Sequence, residues 1–146
     1  MNTPTKELGN AGEQAAVDFL VTKGFIIRER NWKLNHLEVD IIAEKNGVFH
    51  FVEVKTRAYK SNKYNPVYAV NLTKQRNIIN AARGYCQYYQ YKDWGTQFDV
   101  IIVYGTAGNF EVEYMPKFFS TRPQRSYNSY STMARRYFPK GRTNKK

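Results

Sequence analysis

The sequence contains one cysteine, Cys86, and two histidines, His36 and His50, in 146 residues. A single cysteine excludes a disulfide framework and a zinc site built from thiolates. The two histidines also lack the spacing that is typical of a zinc site. No apolar run approaches the roughly 18–20 residues that a membrane-spanning helix needs, and the first residues have no signal-peptide pattern. These absences predict a cytoplasmic protein.

Acidic residues are scarce as well, because 12 Asp and Glu stand against 23 Lys and Arg, for a net charge of +11. Residues 121–146 hold eight of the basic side chains and no acid. We predict one domain over 1–120 and a flexible basic tail over 121–146 that binds a polyanion. The tail lacks an amphipathic apolar face, which favours nucleic acid over a membrane, although a tail that only aids solubility is the alternative. Its tyrosines could stack on bases, or it could bind by charge alone.

Hydrophobic periodicity predicts the order helix, three strands, helix, two strands, which is an α/β fold with a mixed five-stranded sheet flanked by helices. The first helix is expected over 5–23 and should end at Gly24. The second should begin at an N-cap Thr73 and reach about Tyr91. The strands are expected at 25–30, 37–45, 48–56, 97–104 and 109–114, with a mobile loop at 57–66 and order fading from Pro116 onward.

Asn46-Gly47 between two β-rich segments is the strongest short-range signal for a hairpin. A two-residue turn fixes the register of the two strands, beginning with Lys45 opposite Val48. That register pairs Ile41 with Val52 and predicts an apolar face that continues to Val39 and Val54.

On the other face, the same register places Asp40 opposite Glu53 and Glu38 opposite Lys55. Carboxylates directly opposite each other have Cβ atoms roughly 4.5–5.5 Å apart and repel. A divalent cation removes that repulsion, and oxygen ligands without nearby histidine or cysteine suit Mg²⁺ or Mn²⁺. The alternative is an exposed strand pair in which Glu38 pairs with Lys55 and the acids face water. Large apolar residues on the same face weaken that alternative.

Asp40, followed on the next strand by Glu53-Val54-Lys55, resembles the bipartite motif of the PD-(D/E)XK nuclease superfamily. A wider set of positions within residues 7–115 resembles the bacterial YraN family, which is itself similar to archaeal Holliday-junction resolvases. These positions are Gly9 to Glu13, Asn31, residues 38–43, residues 51–57, Pro66, Ala69-Val70, Lys74 and Phe98-Asp99-Val100. The chain departs from the family pattern at His36-Leu37, which replaces Gly-Gly, and at Gln97, which replaces Arg.

The resemblance implies a restriction-endonuclease-like core and a metal-dependent catalytic site. Asp40 and Glu53 would bind Mg²⁺ or Mn²⁺. Glu13, from the first helix, would join them as a ligand or as a carboxylate that orients water. Lys55 would position or activate the attacking water, and Lys74 would contact the phosphate. The residues expected to bind nucleic acid are Lys74, Arg57, Arg76, Lys60 and Lys63.

The sequence therefore predicts an Mg²⁺- or Mn²⁺-dependent endonuclease that hydrolyses phosphodiester bonds in DNA. No helix or finger that reads bases is visible, so selectivity for branched or single-stranded structure is expected. One alternative is a catalytically silent nucleic-acid-binding module on the same fold, and another is a scaffold that docks on an acidic partner or ribosomal RNA. Cleavage of junctions would favour a homodimer. The tyrosines near the end of the second helix are interpreted as packing and rim residues rather than as a stacking platform: Tyr85, Tyr88, Tyr89 and Tyr91.

Overall fold

The computed structural model describes residues 4–61, 63, 65–106 and 108–121. The predicted basic tail, apart from Thr121, lies outside the described residues, so its binding role stays a prediction. Within the described part of the chain, neither long helix has the apolar stretch that crossing a membrane requires.

A five-stranded sheet lies between two helices. The elements in chain order are α1 (Pro4–Thr22), β1 (Ile26–Leu34), β2 (Leu37–Lys45), β3 (Val48–Arg57), a 3₁₀ helix (Pro66–Ala69), α2 (Leu72–Tyr88), β4 (Gly95–Thr106) and β5 (Asn109–Phe119). The strand order is β1-β2-β3-β4-β5. β3 and β4 are parallel, and the other neighbouring pairs are antiparallel. The predicted α/β fold with a mixed five-stranded sheet is confirmed.

Two apolar layers cover the two faces of the sheet. The layer under α1 includes Ala16 and Leu20 of the helix with Ile101 of β4. The layer under α2 includes Tyr85 of the helix with Ile102 of β4. Successive side chains of a strand point to opposite faces, so β4 contributes to both layers and is buried on both sides.

The β2–β3 hairpin has the predicted turn and register. Asn46 and Gly47 both have positive φ, at 52° and 75°, which is the conformation of a type I′ turn. The strands pair from Lys45–Val48 to Ile41–Val52 as expected. This part of the fold is encoded locally, because asparagine and glycine are the residues that accept such φ values most readily.

The predicted pairing does not continue beyond Ile41. The backbone N–H of Val54 donates to Oδ2 of Asp40 at 2.8 Å, so a side chain takes a donor that the ladder would otherwise use. Val39 packs in the layer under α2 and Val54 in the layer under α1. The expected continuous apolar face from Ile41 to Val39 is therefore wrong.

Several element ends differ from their predicted positions. The N-cap of α2 is Asn71 rather than Thr73, because the Asn71 side chain already accepts the Lys74 N–H at 2.8 Å, and Asn is at least as good a cap as Thr. α2 ends at Tyr88, β1 continues to Leu34 and β3 to Arg57. Order does not fade at Pro116, because Phe118 and Phe119 pack in the α2 layer and extend β5.

Candidate active site

The break in the β2–β3 pairing brings two carboxyl groups together. The hydrogen bond from the Val54 backbone N–H holds the Asp40 carboxylate in place. Asp40 thereby lies beside Glu53, which comes directly before Val54 in β3. The two groups are close enough to share a hydrogen bond when one is protonated, and this contact lowers the pKa of Asp40. Burial outweighs it, so the pKa of Asp40 is raised overall.

Glu53 is only 3% exposed. Its Oε1 lies 3.3 Å from the Lys55 ammonium and 3.7 Å from the Lys74 ammonium. Its Oε2 is buried and has no hydrogen-bond partner among the described residues. Burial and the neighbouring Asp40 raise the pKa of Glu53 to about 7, although Lys74 and Lys55 oppose that rise. The interpretation of an exposed strand pair is therefore wrong for Glu53, and Lys55 pairs with it rather than with Glu38.

Glu13 reaches the same region from the other face of the sheet. The preceding residue, Gly12, lies so close to β3 that a Cβ atom there would be 2.1 Å from Oγ1 of Thr56. This absence of a side chain lets α1 approach β3 closely. Burial and the Asp40 charge raise the pKa of Glu13, while a hydrogen bond from the Asn31 side chain lowers it.

Asn31 is a site residue to which sequence reasoning gave no role. It adopts φ 49° within β1, a left-handed conformation that asparagine tolerates better than other residues with a side chain. Its amide is thereby turned toward Glu13. An asparagine among strand-forming residues was the available signal, since asparagine is depleted in strands.

The residues present fit a divalent cation. Asp40 experiences the negative charge of Glu38 and the positive charge of Lys74. Glu53 experiences the negative charge of Asp40 and the positive charges of Lys74 and Lys55. Among the described residues, no three His, Cys, Asp or Glu side chains converge into a ready-made cage. Mg²⁺ does not need one, because it is usually bound by one or two carboxylates, with water and substrate phosphate as the other ligands. Oε2 of Glu53, which accepts no hydrogen bond from the residues that the structure describes, is an oxygen ligand of the required kind.

The other residues that were predicted to bind nucleic acid lie at the end of β3, in the loop after it and on α2. Arg57 ends β3 and donates to the Thr56 carbonyl, while Arg76 is exposed on α2. Lys60 pairs with Glu111 of β5 at 2.6 Å. Lys63 is exposed in the loop before the 3₁₀ helix. The structure thus brings together Glu13, Asp40, Glu53, Lys55 and Lys74, but it gives Lys60 a partner of its own.

The chain matches the model of the uncharacterised protein family UPF0102 over residues 12–103. It is 44% identical over 112 residues to a UPF0102 protein of Bacteroides fragilis, which covers 77% of this chain and 91% of that protein. A UPF0102 protein of Myxococcus xanthus is 37% identical over 114 residues, covering 78% and 90%. One from Caldicellulosiruptor saccharolyticus is 42% identical over 104 residues, covering 71% and 87%. The expected membership is confirmed, and the chain belongs to the UPF0102 (YraN) family.

Proposed function

We propose that this chain is a metal-dependent endonuclease that hydrolyses phosphodiester bonds in DNA. The observation that carries the proposal is the buried Oε2 of Glu53, which has no hydrogen-bond partner in the described part of the chain. It belongs to a carboxyl group beside Asp40. A buried polar atom without a hydrogen-bond partner lowers the stability of the fold. A cation bound at this oxygen would replace the missing partner. The motif resemblance supports a restriction-endonuclease-like core of the PD-(D/E)XK superfamily, similar to archaeal Holliday-junction resolvases.

In this proposal Asp40 and Glu53 hold Mg²⁺ or Mn²⁺. The bound ion would supply Lewis acidity at the phosphate and lower the pKa of water. Glu13 accepts a proton from the attacking water, and its raised pKa brings it closer to the neutral range where a general base works best. Lys55 donates from its ammonium to the water or to the phosphate oxygen as negative charge develops there.

Basic residues around the site hold the backbone of the substrate. Lys74 lies next to Glu53, and Arg57 and Arg76 flank it on β3 and α2. Contacts of this type give affinity that depends on salt and carries no sequence information. Lys60, Lys63 and the basic tail would extend the contact with the nucleic acid. The proposed location of this activity is the cytoplasm. A homodimer would suit a branched substrate with two equivalent strands.

Cleavage of a labelled substrate panel by the wild-type chain and a Glu53→Gln variant tests this proposal. The panel contains a four-way junction, a flap, a single strand and a duplex, each with Mg²⁺, Mn²⁺ or chelator. Glu7→Gln is the matched control, because it removes the same charge from an exposed position in the first turn of α1. We expect metal-dependent cleavage by the wild type and the control but not by Glu53→Gln.

The competing function is a catalytically silent nucleic-acid-binding module. It predicts that all three proteins bind the panel equally and that none of them cleaves it with either metal. Equal cleavage by all three proteins would instead indicate a contaminating nuclease and would remove the support for Glu53.

A further inference from the structure

The surface of α2 has a charge pattern that the candidate site does not require. The helix, Leu72–Tyr88, contains no acidic residue. Four of its exposed side chains are Arg76, Asn80, Arg83 and Gln87. Residues three or four positions apart lie on one face of a helix, so these four form a continuous basic and polar stripe.

Two aromatic side chains follow the last residue of the stripe at the end of α2. Tyr88 is 76% exposed and Tyr89 is 42% exposed, with ring centroids 4.8 Å apart. Tyr85 is buried and Tyr88 lies at the exposed rim, in line with the expected mixture of packing and rim positions. The Glu29 carboxylate of β1 acts on Tyr89, and this negative charge makes the end of α2 better suited to a neutral base than to a phosphate.

The first turn of α2 lies at the candidate site. Lys74, two positions before Arg76, is turned away from the stripe toward the sheet, and its ammonium is 3.7 Å from Glu53. Lys74 and Tyr88 are 14 positions apart, which is about 21 Å at the helical rise of 1.5 Å per residue. A stacked strand rises about 3.4 Å per nucleotide, so the distance corresponds to about six nucleotides.

We propose that α2 is a binding track for single-stranded nucleic acid, with phosphates on Arg76 and Arg83 and unpaired bases stacked on Tyr88 and Tyr89. Guanidinium groups contact phosphates without regard to sequence, and tyrosine rings stack on any unpaired base. The assignment deepens the proposed function and rests on it for its substrate. It makes the substrate a strand whose unpaired part runs along α2 from the scissile bond.

The chemistry of the stripe favours an unpaired strand over the other polyanions. The bases of a duplex are already stacked on one another, so exposed tyrosine rings gain nothing from them. A membrane-binding helix would need an exposed apolar face, whereas the exposed face of α2 is basic and polar between Arg76 and Gln87. DNA and RNA share the chemistry that the track recognises, and the test below separates them.

Binding measured with the full chain in chelator tests the track without any cleavage. The probes are labelled oligothymidine and oligouridine of about 12 nucleotides and a blunt duplex of the same length. Tyr88→Leu keeps an apolar side chain and removes the ring. Tyr59→Leu is the matched control, because Tyr59 is 75% exposed and lies in the loop after β3.

We expect Tyr88→Leu to weaken binding of one or both single strands by about fivefold or more, the value of one stacked base. Duplex binding should stay within about twofold, and Tyr59→Leu should bind every probe as the wild type does. The strand that loses affinity identifies the sugar that the track accepts. Unchanged single-strand binding by Tyr88→Leu, or an equal loss in Tyr59→Leu, would overturn the proposal.

The salt dependence tests the guanidinium contacts separately. Arg83→Gln should reduce the slope of log affinity against log salt by about 0.7 for single strands. Lys23→Gln removes one exposed cation after α1 and should leave that slope unchanged. Equal slopes for all three proteins would contradict the phosphate contact. If the protein cleaves nothing but Tyr88→Leu weakens single-strand binding and Arg83→Gln lowers the salt slope, the nuclease is refuted and the track is supported. If the protein cleaves but neither variant has its effect, the track is refuted and the nuclease is supported.

Discussion

Oδ2 of Asp40 accepts a 2.8 Å hydrogen bond from the backbone N–H of Val54, the residue between Glu53 and Lys55. This one bond links the two strands at the point where their backbone pairing stops. It also orients Asp40 toward Glu53, and the Asp40 charge raises the pKa of Glu53. The local break in the sheet and the pairing of the two carboxyl groups therefore have the same cause.

An Asp40→Asn variant should separate cation binding from folding. Its amide oxygen can still accept the Val54 N–H, so the fold should be retained, but one negative ligand is lost. At pH 8, Mg²⁺ should raise the melting temperature of the wild type, equivalent to about 2.7 kcal/mol at a hundredfold excess over Kd. The rise should be much smaller in Asp40→Asn. Asp93→Asn is the control at an exposed position, and equal rises in all three would place the cation elsewhere.

The stability of the protein should depend on pH through Glu53. Its folded pKa of about 7 lies above its ordinary value of 4.5, so between these values the folded state binds more protons than the unfolded state. The free energy of unfolding should therefore fall as pH rises from about 4.5 to 7, by about 3 kcal/mol in total without Mg²⁺. Urea titrations across this range should show a much flatter profile for Glu53→Gln than for Glu7→Gln. The same slope in both would contradict the shifted pKa.

The site could be anticipated from the sequence as far as local chemistry determines it. The Asn46-Gly47 turn sets the register of the hairpin as far as Ile41 and Val52, and Asp40 and Glu53 come directly after this last pair. The competition between the Asp40 side chain and the backbone ladder depends on burial, which the sequence does not show. For that reason the extension of the pairing to Val39 and Val54 was wrong.

Contacts between distant elements were beyond the reach of pattern reasoning. Lys74 and Glu13 were expected near the site only through the family resemblance, because their approach depends on how α2 and α1 pack on the sheet. The cap of α2 was placed two residues late, since Asn71 and Thr73 have similar capping propensities. The exposure of Tyr88 likewise depends on where α2 ends.

A Gly12→Ala variant should destabilise the protein even though alanine favours helices. The new Cβ would lie 2.1 Å from Oγ1 and 2.8 Å from Cγ2 of Thr56, a β-branched side chain with little freedom to turn away. Overpacking of this kind costs about 1–3 kcal/mol, against a helical gain of at most about 1 kcal/mol. Gly9→Ala meets no atom within 4 Å and should be neutral or stabilising in urea unfolding. Combining Gly12→Ala with Thr56→Ala should restore much of the loss, and independent effects would refute the contact.

The role of Asn31 can be measured at Glu13. Glycine accepts the left-handed backbone, so Asn31→Gly removes the side-chain contact without adding strain. Because that hydrogen bond lowers the pKa of Glu13, its loss should raise this pKa further, as followed by carbon-13 NMR of the Glu13 carboxyl. Asn35→Gly is the matched control, since Asn35 has φ 55° in the turn after β1. A Glu13 titration that is the same in all three proteins would remove Asn31 from the site.

Asp99, one of the positions of the family resemblance, should act in stability rather than in catalysis. It is fully buried, and its Oδ2 lies 2.7 Å from both Nδ1 of His50 and the Tyr114 hydroxyl. Its Oδ1 accepts from the Lys117 backbone N–H and from the Gln97 amide, both at 2.9 Å. The departure from the family at Gln97 therefore falls on this network and not on the carboxyl pair.

Removing the Asp99 carboxylate leaves the buried His50 and three partly buried or exposed groups without the acceptor that they share. Asp99→Ala should lower the free energy of unfolding by about 3–5 kcal/mol, whereas Tyr114→Phe deletes a single donor and should cost about 1 kcal/mol. Urea unfolding measures both variants, and Mg²⁺ should stabilise Tyr114→Phe as much as the wild type. If Tyr114→Phe stays folded but is no longer stabilised by Mg²⁺, the Asp99 network is connected to the cation site. If the stabilisation by Mg²⁺ is retained, the residues that hold the sheet together are distinct from those that bind the ion.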